Sequence, residues 1–524
     1  MEKRLLVAMA ISLLILFAFQ KFHKTPAPFV PAVPVGKVAP RAIAGIPAEP
    51  AEVKEEPREE EETVIQTDRL TIVFSDIGGA VKSISLRGFV DAEKREQLLC
   101  EGDGVFSTTS ALFPGMEKKR YKMSRGKDFL EYKLIEPGQI EVTKRYNFYK
   151  PFNHMDLCIT VKNLSSKDVN FSYDVNGPFG LEQIDKVMGR SFLEADALIG
   201  DKIWRKKAVK GAQEIAGDVK WTALTNRYFT LALKPFSPPR SMVFKELAPK
   251  KISTAIKNQA VVLSPREKVE NNYLIYAGPL DEKRLAEIGY GMEGLVNYGI
   301  FGGISKFLLS TLRFFHRITK NWGVAIILLT LLINGVLFPL TKKSVTSMHQ
   351  MKRVQPHMQK LKELHKDNPQ KLNKEMMELY KKYNVNPLSG CLPLLLQMPV
   401  FISLYQGLIR SIELKGAHFL WIKDLSRPDA VPLPFSLPFI GASINILPLI
   451  MIGMMVVQQK TSQGGSAAVT DEQASQQKMM LIVFPVVFGF LFYNMPAGLV
   501  LYWLTNTILM TTEQKLLGRS MDRE

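Results

Sequence analysis

Cysteine is scarce in this chain: Cys100, Cys158 and Cys391 are all that 524 residues contain, too few and too scattered for a disulfide framework or a thiolate metal site. Cys100 and Cys158 can pair only if both lie outside the cytoplasm; the default is three free thiols. The phosphate-cradling loop of nucleotide hydrolases is missing, as are HExxH and GxSxG, so neither nucleotide hydrolysis nor a common protease mechanism has a handle. The glycine-rich run "YGMEGLVNYGIFGG" does not open a helix after a buried strand, and it reads as a hinge. His349, His357 and His365 have no carboxylate or cysteine at ligand spacing and read as solvated. No catalytic residue, no cofactor and no metal is expected. Charge is missing as well: no charged side chain lies between Trp322 and Leu340, and none of the long apolar runs carries a carboxylate, which leaves an intramembrane acid protease without its nucleophile.

Those apolar runs are what the chain has in abundance. They fall at 5–19, 322–340, 391–409, 437–457, 479–495 and 496–512, each close to the length that crosses a bilayer as a helix. The first follows "MEKR" and is not followed by a small-x-small cleavage site, so residues 1–20 read as a retained signal-anchor helix. Lysine and arginine crowd the loop 341–390, which is therefore cytoplasmic. Six crossings then return both termini to the cytoplasm, with 21–321 and 410–436 outside, and 458–478 and the tail 513–524 inside. The net charge of +18 is thus a topology signal, not a sign of specific DNA binding. A basic loop at the membrane surface can still touch ribosomal RNA. The tail "EQKLLGRSMDRE" is only weakly basic, so the loop is the better place for such a contact.

Between the first two runs the composition changes twice. Residues 21–63 are proline-rich and then acidic, an extended tether with too little apolar content for a core. Residues 64–284 alternate with a period of two, as in "RLTIVFSDIGG" and "DLCITVKNLS", which predicts a large antiparallel β-sandwich. Residues 285–321 form a linker and an amphipathic helix: Ile304, Phe307, Leu308, Leu312 and Phe315 recur at helical spacing beside Lys306, Arg313, Arg317 and Lys320, a pattern suited to the outer membrane interface. The cytoplasmic loop predicts two helices broken at "KDNPQ", one with a seam of Met351, Val354, Met358 and Leu361, the other with Leu372, Met376, Leu379 and Tyr383. Pro356 should bend the first arm or mark its start. Met351, Met358, Met376 and Met377 are the adaptable contact residues of this hairpin.

Two asparagine-bearing runs raise the question of function. Asn334 lies near mid-membrane one turn after Thr330, and polar groups at that depth face a protein interior or a wet cavity. A hydrogen bond to a neighbouring helix is the simpler role; a transporter site is disfavoured because the two halves of the chain do not look alike.

The runs "NPLSGCLPLLLQMPVFISLYQGL" (386–408) and "YNMPAGLVLYWLTN" (493–506), with "FPLTKKSVTSMHQMKRVQP" and "EMMELYKKYNVNP" in the same order, resemble the YidC/Oxa/Alb family of membrane protein insertases. The anchor and the large β-domain resemble its Gram-negative bacterial form. The resemblance implies a polytopic α-helical membrane protein with six transmembrane helices, five of them forming the insertase core, a periplasmic antiparallel β-sandwich and a cytoplasmic helical hairpin. It implies a multi-pass protein of the bacterial inner membrane that inserts and helps fold nascent transmembrane segments through a hydrophilic groove, without bond chemistry, alone or with the Sec translocon. Nascent membrane proteins, the Sec translocon, the ribosome and membrane lipids are the implied partners; no small-molecule substrate is. Better-known members carry arginine in a pattern like "RGxxxPLT", where this chain has "NGVLFPLT" with Asn334. Thr330, Asn334, Gln397, Tyr502, Thr505 and Asn506 are the candidate groove residues by this resemblance, and Trp503 is either a further one or a packing anchor.

Overall fold

The computed structural model describes residues 60–521 except 91–94, 150–151, 182–191, 249–250, 366–367, 384, 386–391, 438–440, 464–482 and 484. The expected anchor 1–20, nearly all of the tether 21–63, Cys391 and the start of the run 479–495 lie outside the described residues. Alternation organises the first half. In His154–Asn163 every second residue is buried, Met155, Leu157, Ile159 and Val161 pointing one way into the core. This strand sits inside a nine-stranded antiparallel sheet whose order is Lys202–Lys206, Glu194–Ile199, Val219–Thr225, Phe229–Pro235, Lys268–Pro279, His154–Asn163, Ile140–Phe148, Phe129–Glu136 and Lys122–Arg125. A five-stranded sheet containing Ser241–Ala248 and Lys251–Lys257 and a four-stranded sheet from Glu62–Gln66 to Glu96–Val105 share one apolar core with it. Cys100 is buried in that core and Cys158 is half-buried; both are free thiols.

The strand Phe229–Pro235 is buried along its whole length because both faces are covered. Phe229, Leu231 and Leu233 face the sandwich core, while Ala232 joins Trp221, Leu285, Met292 and Leu295 in a second cluster. That second cluster is closed by helix α1, Glu282–Ile288, which is capped by Asp281 accepting from the Arg284 N–H at 3.0 Å.

Helix α2, Gly302–Thr319, buries Leu308, Leu309 and Leu312 and leaves Ile304, Phe307, Phe314 and Ile318 exposed. Of the expected apolar face, Leu308 and Leu312 thus pack inward while Ile304 and Phe307 look outward. Helix α3, Trp322–Leu364, starts at an Asn321 cap and continues for 43 residues. The helix runs on past residue 340, where the apolar run expected to span the membrane ends, and Pro356 lies inside it rather than at its start. Pro339 and Pro356 lie inside the helix and each costs one intrahelical donor; around Pro356 the helix formers Met351, Arg353, Met358, Gln359 and Lys360 support the turns on both sides. Within Trp322–Met351, α3 holds an 18-residue stretch of mean hydropathy 2.4, and it is long and apolar enough to cross a membrane. Helix α4, Pro369–Lys382, returns along it after an Asn368 cap. His365 is not simply solvated: its Nε2 lies 2.9 Å from a Glu375 carboxylate oxygen across the hairpin.

Helix α5, Leu392–Arg410, is followed by an irregular stretch and a strand pair, Val431–Leu437 with Gly441–Ile444. Helix α6, Ile446–Gln463, therefore starts nine residues later than the run 437–457 suggested. Its start is fixed by Asp429, which accepts from the Leu447 N–H at 2.9 Å. A helical stretch at 485–493 precedes α7, Ala497–Met521, which extends through most of the expected tail 513–524. α2, α3, α5, α6 and α7 close around one apolar core.

The β-sandwich is fastened to this bundle by buried charge. Arg227, 1% exposed, donates from Nε to the Ile409 carbonyl at 2.6 Å and from Nη2 to the Ser426 carbonyl at 2.8 Å. It thus occupies the C-terminal end of α5, where helix carbonyls lack partners and the helix dipole favours a cation. Arg410 pairs with buried Glu194 at 3.2 Å, and Lys415 donates to Gln97 at 3.0 Å.

Candidate functional site

Inside the helical core the polar side chains gather along the line where α3, α5 and α7 meet. Thr330 is fully buried and its hydroxyl donates back to the Ile326 carbonyl at 2.7 Å. One turn on, Asn334 is 8% exposed; its Nδ2 donates to the Thr330 carbonyl and to Asn506 Oδ1, both at 2.9 Å. Asn506 is itself buried and its Nδ2 reaches the Met510 sulfur at 3.6 Å. One turn before Asn506 on α7, the Tyr502 hydroxyl accepts from Gln397 Nε2 of α5. Residues 502 and 506 are four apart and share a face, so two amide-bearing contacts stack along α7. Both lie among Ile333, Leu329, Leu404, Leu501 and their neighbours in the apolar core.

The structure therefore brings together Thr330, Asn334, Gln397, Tyr502 and Asn506. It places Trp503 elsewhere: its ring packs against Phe401, Phe492 and Phe488 at 4.9, 5.3 and 5.8 Å, the packing alternative of the two roles expected for it. Thr505 turns its hydroxyl onto its own helix, donating to the Leu501 carbonyl at 2.8 Å. Of the hairpin methionines, Met351, Met358 and Met376 are half-buried and Met377 is exposed. Sequence reasoning missed Thr341 and Ser344 on α3 and Thr507 and Thr511 on α7, all buried. A signal for them existed, since 334, 341 and 344 recur at helical spacing towards the hairpin.

The site is polar without being charged. No Asp, Glu, Lys or Arg occurs in 322–341 or 497–512, so the amides and hydroxyls offer hydrogen-bond donors and acceptors and no fixed charge. Among the described residues no cluster of His, Cys, Asp and Glu is arranged to hold a metal ion.

Residues 314–524 match the family model described as 60Kd inner membrane protein, and residues 62–311 match that of the YidC periplasmic domain. The chain is 32% identical over 553 residues to the membrane protein insertase YidC of Geotalea uraniireducens (strain Rf4), covering 99% of this chain and 100% of the relative. It is 34% identical over 467 residues to the membrane protein insertase YidC of Endomicrobium trichonymphae, covering 87% and 85%. A solved structure described as an active YidC insertase with its first transmembrane domain resolved aligns at 19% identity and a TM-score of 0.37, covering 87% of this chain and 92% of that one.

Proposed function

Because the chain belongs to the YidC family of membrane protein insertases, we propose that it passes nascent transmembrane segments into the bacterial inner membrane along the polar line between α3, α5 and α7. The observation that carries this reading is the Asn334–Asn506 amide pair, buried with Gln397 and Tyr502 in an otherwise apolar core. In this proposal the described helices and the anchor make six crossings, five of which form the core. Both termini and the hairpin are cytoplasmic and the β-domain is periplasmic.

The energetics favour a device of this kind. A leucine-like residue gains roughly 0.3 to 0.6 kcal/mol on insertion, while one charge at mid-membrane costs about 2.5 to 3.5. The finished helix is downhill, but the polar tail it drags across is not. Amides and hydroxyls part-way through the bilayer solvate that tail and shorten the apolar distance it crosses. Helix partitioning supplies the drive, so no nucleotide and no bond chemistry is called for. The hairpin, with Met377 exposed and a strongly basic surface, receives clients and meets the ribosome, and the protein works alone or with the Sec translocon.

A second reading rests on the same 2.9 Å bond: the amide pair holds α3 to α7 and touches no client. A photo-crosslinking residue at 334 separates the two, with Val336, 70% exposed on the outer face of α3, as the lipid-facing control. Crosslinks from 334 to a stalled nascent membrane protein that vanish on chain release support the client path. Crosslinks from 334 to α7 alone, in folded protein, support the second reading.

A further inference from the structure

A cavity of 840 Å³ opens where the β-sandwich meets the start of α2, lined by Lys234, Phe236, Tyr290, Asp218, Glu293 and Lys306 among others. Lys234 is the unusual member. It is 8% exposed, and its ammonium donates to the Pro235 carbonyl at 2.8 Å. An ammonium has three donors; among the described residues no carboxylate lies within ion-pair distance of this one, although the Asp218 charge acts on it from farther off. Two exposed rings cover it, Phe236 at 4.0 Å and Tyr290 at 4.2 Å, set edge to face. Tyr290 holds its ring there from a left-handed backbone, φ 58°, between Gly289 and Gly291 at 83° and 73°. A side chain kept in that region is strained, and such strain gathers at ligand sites.

The rest of the wall narrows the ligand. Lys306 is already neutralised by Glu282 at 2.5 Å. Asp218 and Glu293 have no ion pair among the described residues, so the mouth offers anionic groups beside a buried cation with donors to spare. A simple anion meets repulsion there; a zwitterion with phosphate and a primary amine satisfies both. On the helix that carries Lys306, but outside the cavity lining and turned away from Lys306, exposed Ile304 and Phe307 follow exposed Ile300, at 39, 66 and 79% exposure. An acyl chain lies naturally along such a row.

We propose that this cavity binds the phosphoethanolamine headgroup of a membrane phospholipid, phosphate on Lys234 and amine on Asp218 and Glu293, with the acyl chains along α2. The inference rests on the membrane placement proposed above. The site seats the β-domain on the periplasmic leaflet through one specific lipid.

The test is native mass spectrometry of the full chain from detergent micelles, titrated with phosphatidylethanolamine, phosphatidylglycerol and phosphatidylcholine, with soluble glycerophosphoethanolamine as competitor. Phosphatidylethanolamine should bind at least severalfold more tightly than the other two. Lys234→Gln should weaken it about tenfold, the loss of a hydrogen bond to a charged group. Tyr290→Gly, which suits the backbone, should weaken it while leaving the circular-dichroism melting midpoint in place. Should Lys234→Gln fail to fold, the exposed pair Asp218→Asn with Glu293→Gln should shift the preference towards phosphatidylglycerol. Equal binding of all three lipids, unchanged binding in the folded variants, or a soluble headgroup that binds as tightly as the lipid would overturn the proposal. Client insertion by the same preparations into vesicles lacking phosphatidylethanolamine reads the insertase function separately, so a loss of lipid preference with insertion intact sinks the site alone.

Discussion

Asn334 and Asn506 show what one amide does in an apolar core. Asn334→Leu removes both bonds from Nδ2 and leaves the Asn506 carboxamide oxygen buried without its donor. The interhelical bond contributes roughly 0.6 to 2 kcal/mol in a membrane, so the variant should remain folded. Insertion of clients with polar translocated tails should then fall further than insertion of clients with short neutral tails, measured side by side in reconstituted vesicles; equal falls would assign the loss to packing. Lys144 poses a different residue-scale question. It is fully buried in the sandwich, donating to the Gly78 carbonyl at 2.7 Å, and burial pushes its ammonium down to about 7. Between about pH 7 and the ordinary lysine value the folded chain holds fewer protons than the unfolded one, so stability rises with pH across that window and the contribution is absent below it. The thermal midpoint of the full chain should climb from pH 7 to 9.5 more steeply in the wild type than in Lys144→Met.

At the scale of elements, the sequence was most legible where one face of a strand or helix is buried. The alternation of His154–Asn163 and the helical spacing of Leu308 and Leu312 both point to burial that the structure shows. It was least legible where tertiary contacts override local signals. The strand Gly441–Ile444 occupies part of the run 437–457 expected to be helical, because pairing and the Asp429 cap decide where α6 begins. In Phe229–Pro235 the sequence alternates Phe229, Leu231 and Leu233 with Thr230, Ala232 and Lys234, yet the strand is buried throughout because a second cluster covers its other face. The candidate site was half legible: spacing put Thr330 with Asn334, but no local signal could show that Asn506 rather than Thr505 completes the contact. Helix crossings depend on small residues in the same non-local way. Gly407 of α5 lies where an added Cβ would meet Ser305 Oγ at 2.9 Å and Leu309 at 3.0 Å, and Ser305 donates to the Ser403 carbonyl at 2.9 Å. Gly407→Leu should force α2 from α5 and cost about 1 to 3 kcal/mol, seen as a lower thermal midpoint.

For the whole molecule, the β-sandwich and the bundle meet through Arg227, and that contact is open to experiment. Arg227→Ala leaves the Ile409 and Ser426 carbonyls without this donor. Amide hydrogen exchange over 405–427 should quicken in the full chain while exchange in the strands around 155–163 stays as it was. Uniform acceleration would instead mean that the sandwich itself had loosened. The 43-residue α3 has the complementary effect at the other side of the bundle. A helix of that length is a rod of about 65 Å, and some 45 Å of it separate Asn334 from the hairpin tip. Tilting it by about five degrees around Asn334 sweeps the tip through about 4 Å by the same geometry. Under the function proposed above, client weight on the hairpin would be geared to the amide pair, with the hairpin as the long arm of a lever whose fulcrum is Asn334.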